Sequence, residues 1–271
     1  MYDSVLFSDS NYNTVVHANE FLIKYEKLFN WTKSEDILEV GCANGCITKH
    51  VLYPIVKDHL HHLTGSDISQ SAIDHANKIN NNPNLSFETL DITNQGECDQ
   101  YIEKFHRIFA FHVLHVAHKP ELWSTNLYKM LKPNGQMFGH IIVSYPNFCN
   151  LVTSEQRNDQ SKPWSEYMQN VRDVFYDFGP KPLERVKEIF NQAGFLINLI
   201  DIEPKKVLFK NIADFKNTWI SANHILNHLP KELHDDYIND FLTKLLQHVT
   251  YNIDGSYEFT FDVLVFLVTK P

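Results

Sequence analysis

Short apolar runs alternate along this chain with stretches whose apolar residues recur at helical spacing. Asp36 to Val40 is a compact apolar run that reads as a strand, and Ile47 to Val56 follows as a helix. Leu63 to Ser66 reads as a second strand, after which Ser69 caps a helix running to Lys78. Leu85 to Thr89 is a third strand, Cys98 to Lys104 a helix, Arg107 to His112 a fourth strand and Glu121 to Leu131 a helix. Lys132-Pro133-Asn134-Gly135 stops that helix and turns the chain into a fifth strand, Gln136 to Val143. A helix from Leu183 to Ala193 ends at Gly194, and Phe195 to Ile202 is a sixth strand. Tyr257 to Thr269, dense in Val, Leu and Phe, reads as the last.

Strands that alternate with helices at this spacing predict βαβ units, hence a parallel sheet covered on both faces. The remaining helical stretches are Val15 to Phe29, Ile212 to Asn223 and Lys231 to Val249. Together with Asn147 to Phe178 they are expected over the carboxyl edge of the sheet as a cap. No internal repeat or low-complexity linker interrupts the pattern, apart from the turn at 80–84.

Charge narrows the function. A net charge of −9 leaves no basic stripe to neutralise phosphates, which argues against nucleic acid as partner. No apolar run reaches the length of a membrane span, and the first residues do not resemble a leader, so the expected setting is cytoplasmic. Four cysteines do not make a disulfide framework, and Cys42 and Cys46 lack the second ligand pair of a zinc site. His59, His61 and His62 cluster, and His112, His115 and His118 recur every third residue; a solvated loop and a strand-end segment explain both, and no metal is expected.

The chemistry concentrates in Leu38-Glu39-Val40-Gly41-Cys42-Ala43-Asn44-Gly45-Cys46. An acidic residue at a strand end precedes two of the chain's nine glycines, and a helix follows. Ligands of open α/β sheets sit beyond the carboxyl ends of the strands, where glycine lets the backbone come close. A dinucleotide fingerprint would need glycine at 43 and 46, where the chain has Ala43 and Cys46. The pattern acidic-x-Gly-x-Gly-x-Gly fails only at Ala43. Asp67, at the end of the second strand, can accept both hydroxyl hydrogens of a ribose, with Ile68 against an adenine; nicotinamide enzymes use the same device. Asp91, with Ile92, can accept from an adenine amino group after the third strand.

With these landmarks in order, the chain resembles the class I S-adenosylmethionine-dependent methyltransferases, and among them is similar to the arthropod juvenile hormone acid O-methyltransferases. The general motifs span Asp36 to Val143; the closer likeness runs through Asn30-Trp31 and Phe111-His112-Val113-Leu114-His115 to the helices before the last strand. The resemblance implies a Rossmann-like α/β fold: a mostly parallel seven-stranded sheet, helices on both faces and a helical cap. It implies one methyltransferase domain over 1–271, with a cap helix in 1–32, a cofactor-binding core at 33–145, cap insertions at 146–182 and 204–252, and the remaining core at 183–203 and 253–271.

It further implies S-adenosylmethionine as cofactor, leaving as S-adenosylhomocysteine, held by Glu39, Gly41, Cys42, Gly45, Asp67, Ile68, Asp91, Ile92 and His112. The partner is a small-molecule acid under the cap, with Tyr12, Val116, Phe148 and Trp164 lining its site, and Tyr167, Phe175 and Tyr176 as further aromatic wall. The family usually has glutamine where this chain has Thr14, and tryptophan directly after Leu-His where it has Val116. Thr14 keeps a hydroxyl and Val116 donates nothing, so His115 and Thr14 are the expected catalytic pair. Transfer to another small molecule, and donor binding without catalysis, stay open as alternatives.

Overall fold

A computed structural model describes residues 12–80, 82–144 and 147–271 of the chain. Five strands form the parallel half of the sheet: β1 (Glu35–Val40), β2 (Leu60–Asp67), β3 (Leu85–Thr89), β4 (Phe105–Phe111) and β5 (Leu131–Ile142). Two long strands, β6 (Leu196–Phe209) and β8 (Tyr257–Thr269), complete it in the order β3-β2-β1-β4-β5-β8-β6. β8 runs antiparallel to both of its neighbours, and the two-residue β7 (Thr250–Tyr251) adds to its end. Order therefore reverses beside β1, where β1 lies between β2 and β4. In a doubly wound sheet that is where a ligand crevice opens.

Helices cover both faces. α1 (Tyr12–Tyr25) buries Ala18, Phe21 and Leu22; a π-helical turn (Thr48–Leu52) leads into α2 (Tyr53–Val56), and α3 (Gln70–Ile79) lies beyond. The Ser69 hydroxyl caps α3 by accepting the Ala72 N–H at 3.4 Å. The short α4 (Gln95–Cys98) precedes β4, α5 (Pro120–Met130) follows it, and α6 (Phe148–Asn158) and α7 (Ser165–Met168) belong to the cap. α8 (Pro182–Ala193) buries Val186, Ile189 and Phe190, with Phe190 edge-on to Trp123 of α5. It stops at Gly194, whose φ of +100° suits a residue without Cβ. α9 (Ile212–Ala222) and α10 (His234–Leu245) complete the cap.

Three strands differ from expectation: β2 begins at Leu60 rather than Leu63, which puts His61 and His62 in a strand and not in a loop, and β6 and β5 differ further. β6 continues past Ile202 to Phe209, straight through Pro204, because it pairs with β8 along its whole length and lies at the sheet's edge. A proline on an edge strand forfeits no ladder bond on its open side. β5 begins at Leu131 rather than Gln136, with Lys132–Gly135 looping out between the pairs Phe105↔Leu131 and Arg107↔Gln136.

The extension of β6 holds α1 in place. The Asn13 amide and the Leu208 backbone exchange two hydrogen bonds, at 3.1 and 3.2 Å. Glu203 accepts from Lys24 at 2.8 Å and Tyr25 at 2.6 Å, and Lys205 pairs with Glu20 at 3.0 Å. At the opposite end of the sheet, Arg107 and Glu35 form a buried ion pair at 2.9 Å, and Gln136 accepts a further guanidinium N–H at 2.6 Å. No helix among the described residues is long and apolar enough to cross a membrane.

Candidate active site

The loop after β1 is built on three left-handed residues: Gly41 at φ +70°, Ala43 at +48° and Gly45 at +77°. A Cβ on Gly41 would run into the Val113 side chain, so the close approach there needs glycine. The Ala43 N–H donates to Asp67 Oδ2 at 3.0 Å, and the Ser69 N–H to Oδ1 at 2.9 Å. One carboxylate thus ties the loop after β1 to the end of β2, and each oxygen keeps a lone pair for a ligand. Ile68 beside it is 68% exposed, an apolar platform at the rim. Asp91 Oδ1 accepts from both the backbone and the hydroxyl of Thr93 at 2.8 Å, and the Ile92 carbonyl is taken by Asn126 at 2.9 Å.

These groups open onto a cavity of about 490 Å³, within the usual size of small-molecule sites. Gly41, Cys42, Asp67, Ile68, Asp91, Ile92 and His112 border it at the strand ends; Thr14 borders it from α1, and His115 and Val116 from the segment after β4. Glu39 is buried at the end of β1 with Oε2 unpartnered. Burial raises its pKa to about 7, the Thr48 hydroxyl opposes that, and the Asp67 charge adds to it. Gly45 lies outside the wall, close against the Phe87 ring.

Three expected lining residues stand elsewhere. Tyr12 is 59% exposed beneath the Lys210 ammonium. Phe148 packs on Trp219 and Phe259 as a second layer behind the wall, and Trp164 is edge-on to Tyr237 in the cap's own core. Of the other aromatics named, Phe175 reaches the cavity, Tyr167 is exposed and Tyr176 packs on Phe178. Segment position alone did not say which side of the cap these rings face.

Histidines gather behind the strand ends. His112, at φ +52°, stands edge-on to His140 at 4.2 Å and lies 3.4 Å, Nε2 to Nδ1, from His17 of α1. His140 is fully buried, and neither of its ring nitrogens has a partner. Desolvation holds His112 and His140 well below the usual imidazole range, and neighbouring histidines add to it. Burial lowers His115 to about 3. The Ile142 N–H points at His115 Nδ1 at 3.4 Å, long but oriented, which leaves the ring hydrogen on Nε2. His115 is thus a neutral donor on the cavity wall. Among the described residues no group of three His, Cys, Asp or Glu side chains is arranged to hold a metal ion.

The rest of the wall was not anticipated. Val207 and Phe209 come from the extension of β6, Phe259 and Phe261 from β8, and Trp219, His224, Arg172 and Val174 from the cap. The strand pairs carry a usable signal, because residues two apart share a face of a strand. Arg172 and His224 carry none.

Residues 38–137 match a family model described as a methyltransferase domain. That stretch contains the glycine loop, both strand-end acids and His115. Over 248 residues, 89% of this chain and 82% of the relative, the chain is 23% identical to the juvenile hormone acid O-methyltransferase of Drosophila melanogaster. Solved structures share the fold. A SAM-dependent methyltransferase from Anabaena variabilis superposes with a TM-score of 0.54 at 18% identity, covering 96% of this chain and 85% of that one. The [4+2]-cyclase SpnF does so with a TM-score of 0.55 at 13% identity, covering 93% and 81%. Fold alone therefore does not name a reaction. Residues 38–137, with the glycine loop, Asp67 and Asp91, thus carry a methyltransferase domain, and the chain as a whole is similar to S-adenosylmethionine-dependent methyltransferases.

Proposed function

We propose that this enzyme binds S-adenosylmethionine in the 490 Å³ cavity and methylates the carboxylate of a small lipophilic acid, of the farnesoic or juvenile hormone acid kind. The carrying observation is the contrast across that cavity: a polar glycine loop on one side, an apolar wall of Ile142, Val174, Phe175, Val207, Phe209, Phe259 and Phe261 on the other. The residues at the strand ends fit the donor. Asp67 has lone pairs left for two ribose hydroxyls, exposed Ile68 offers a face for adenine, and the unpartnered Glu39 Oε2 suits a cation nearby.

When bound, S-adenosylmethionine supplies a methyl group activated by its sulfonium. The chain's own task is to orient the acceptor and exclude water. An acceptor carboxylate, with an ordinary pKa of about 4.3, is already ionised at neutral pH and needs no base. One of its oxygens forms the new bond to carbon as the carbon–sulfur bond breaks, and the electron pair stays on sulfur. Placement dominates such a displacement, and alignment supplies up to about 7–11 kcal/mol. His115 Nε2–H, with the Thr14 hydroxyl, is suited to aim the carboxylate, and Val116 and Phe175 keep the site dry. The 23% relative over most of the chain supports the acceptor class. None of the four cysteines is in a disulfide, which supports a reducing compartment such as the cytoplasm.

The test is turnover on a panel of isoprenoid and fatty acids, with the matching alcohols as controls. His115→Ala is expected to lower kcat/KM on the preferred acid about 10- to 100-fold, the loss of one well-placed hydrogen bond, with S-adenosylhomocysteine affinity unchanged. Methylation of the alcohols and not the acids would overturn the acceptor class. Full activity of His115→Ala would remove that residue from the site.

A further inference from the structure

To the wall of the same cavity the cap contributes a cation and ring nitrogens to which the methyl-donor reading assigns no role. Arg172 lies in the loop between α7 and α8 and borders the cavity. Its neighbour Asp173 is already committed to Arg157, at 2.7 Å, and its carbonyl to His118, at 3.1 Å. No carboxylate among the described residues pairs with Arg172; the charge it presents is felt by His118 and His224. Trp219 of α9 and His224 just beyond it border the same cavity, and each has a buried ring nitrogen without a partner: Nε1 of Trp219 and Nε2 of His224. A buried donor left unpaired costs about 1–3 kcal/mol, so the Trp219 N–H, in the same cavity wall as a guanidinium with no carboxylate partner among the described residues, points to a ligand group that satisfies it. The acids that border the cavity, Asp67 and Asp91, are both at the strand ends, and Lys119 borders it from the segment between β4 and α5, so Arg172 is the cation that the cap supplies.

We propose that Arg172, with the ring N–H of Trp219, forms the anion-binding end of the acceptor site and holds the acceptor's carboxylate. This rests on the carboxylic acid assignment made above. Arginine suits the task, since its planar fork matches a carboxylate with two parallel bonds and keeps its charge at any working pH. A carboxylate is also present on the amino-acid end of the methyl donor, and the experiment separates the two.

Protein saturated with S-adenosylhomocysteine is titrated with farnesoic acid and, separately, with its neutral alcohol farnesol, and S-adenosylhomocysteine affinity is measured alongside. Wild type is compared with Arg172→Gln, Arg172→Lys and Trp219→Phe. Arg172→Gln is expected to weaken the acid about 10- to 100-fold, leave farnesol and S-adenosylhomocysteine unchanged, and be partly rescued in Arg172→Lys. Trp219→Phe, which keeps the ring and removes the N–H, is expected to weaken the acid about 3- to 10-fold. Acid binding that depends on Arg172 without turnover would uphold this site and overturn the methylation assignment. Unchanged acid binding in Arg172→Gln, or no acid binding by wild type, would overturn the site. Loss of S-adenosylhomocysteine in Arg172→Gln would also overturn it, since the guanidinium would then hold the donor.

Discussion

Ala43 is a residue under strain. It occupies the middle of the glycine loop at φ +48°, where an L-residue is disfavoured by about 1–2 kcal/mol, and it is held there because its N–H is bonded to Asp67. Ala43→Gly is therefore expected to leave the loop's geometry intact and raise stability. The gain should be about 0.5–1 kcal/mol once glycine's larger unfolded-state entropy is deducted. Thermal melts check this, and a lower Tm would mean that the alanine methyl, buried at the loop, is worth more in packing than the backbone loses. The loop and its acids were legible because the signal is local: Gly41, Asp67 and Asp91 each lie at a strand's last residue or within two residues of it. Tyr12, Phe148 and Trp164 were misplaced because an aromatic in a cap segment can face the cavity or the cap's own core, and only the fold decides. Arg172, Trp219 and His224 lie in segments joined by long-range packing, with no spacing to link them to the glycine loop.

At the level of elements, the central strands constrain each other more tightly than the helices do. Gly139 of β5 lies opposite Ala110 of β4 and Phe266 of β8. A Cβ at this position would strike the Ala110 carbonyl and crowd the Phe266 ring. Gly139→Ala should cost about 1–3 kcal/mol, read as a lower denaturant midpoint with an unchanged slope. A neutral outcome would show that β4 and β5 can separate without penalty. Seven of the strands followed from the alternation of apolar runs; the two-residue β7, the order within the sheet and the strand ends did not. The sixth strand was expected to end at Ile202, but edge position removes the usual objection to Pro204, and seven further residues pair with β8. That extension binds α1 and supplies Val207 and Phe209 to the cavity, so an error of a few residues in one strand hid part of the site.

For the whole molecule, the buried histidines predict an acid-sensitive fold. His17, His112, His115, His140 and His224 are all lowered from 6.5, chiefly by burial. The unfolded chain takes up protons below about pH 6.5 that the folded chain refuses, so stability falls as pH falls through that range. Each fully shifted histidine contributes at most about 1.4 kcal/mol per pH unit. Glu39 acts oppositely: its raised pKa lets the folded state hold a proton between its ordinary 4.5 and about 7. One carboxyl against several imidazoles leaves the net slope positive. Tm should therefore drop steadily from pH 7 to pH 5, and His140→Leu, which removes two unpartnered buried nitrogens, should flatten the drop. A Tm independent of pH over that interval would show that these rings are hydrated or paired in solution.

The claim on which the rest depends is that the glycine loop and Asp67 form a working methyl-donor site. Calorimetric titration with S-adenosylmethionine and S-adenosylhomocysteine, on wild type and Asp67→Ala, tests it directly. Asp67 serves the ligand and also ties Ala43 to Ser69, so its loss should weaken both ligands by about 100-fold or more. Tight binding to wild type that collapses in Asp67→Ala is the predicted result. No binding to wild type, or affinity unchanged in Asp67→Ala, would contradict the account.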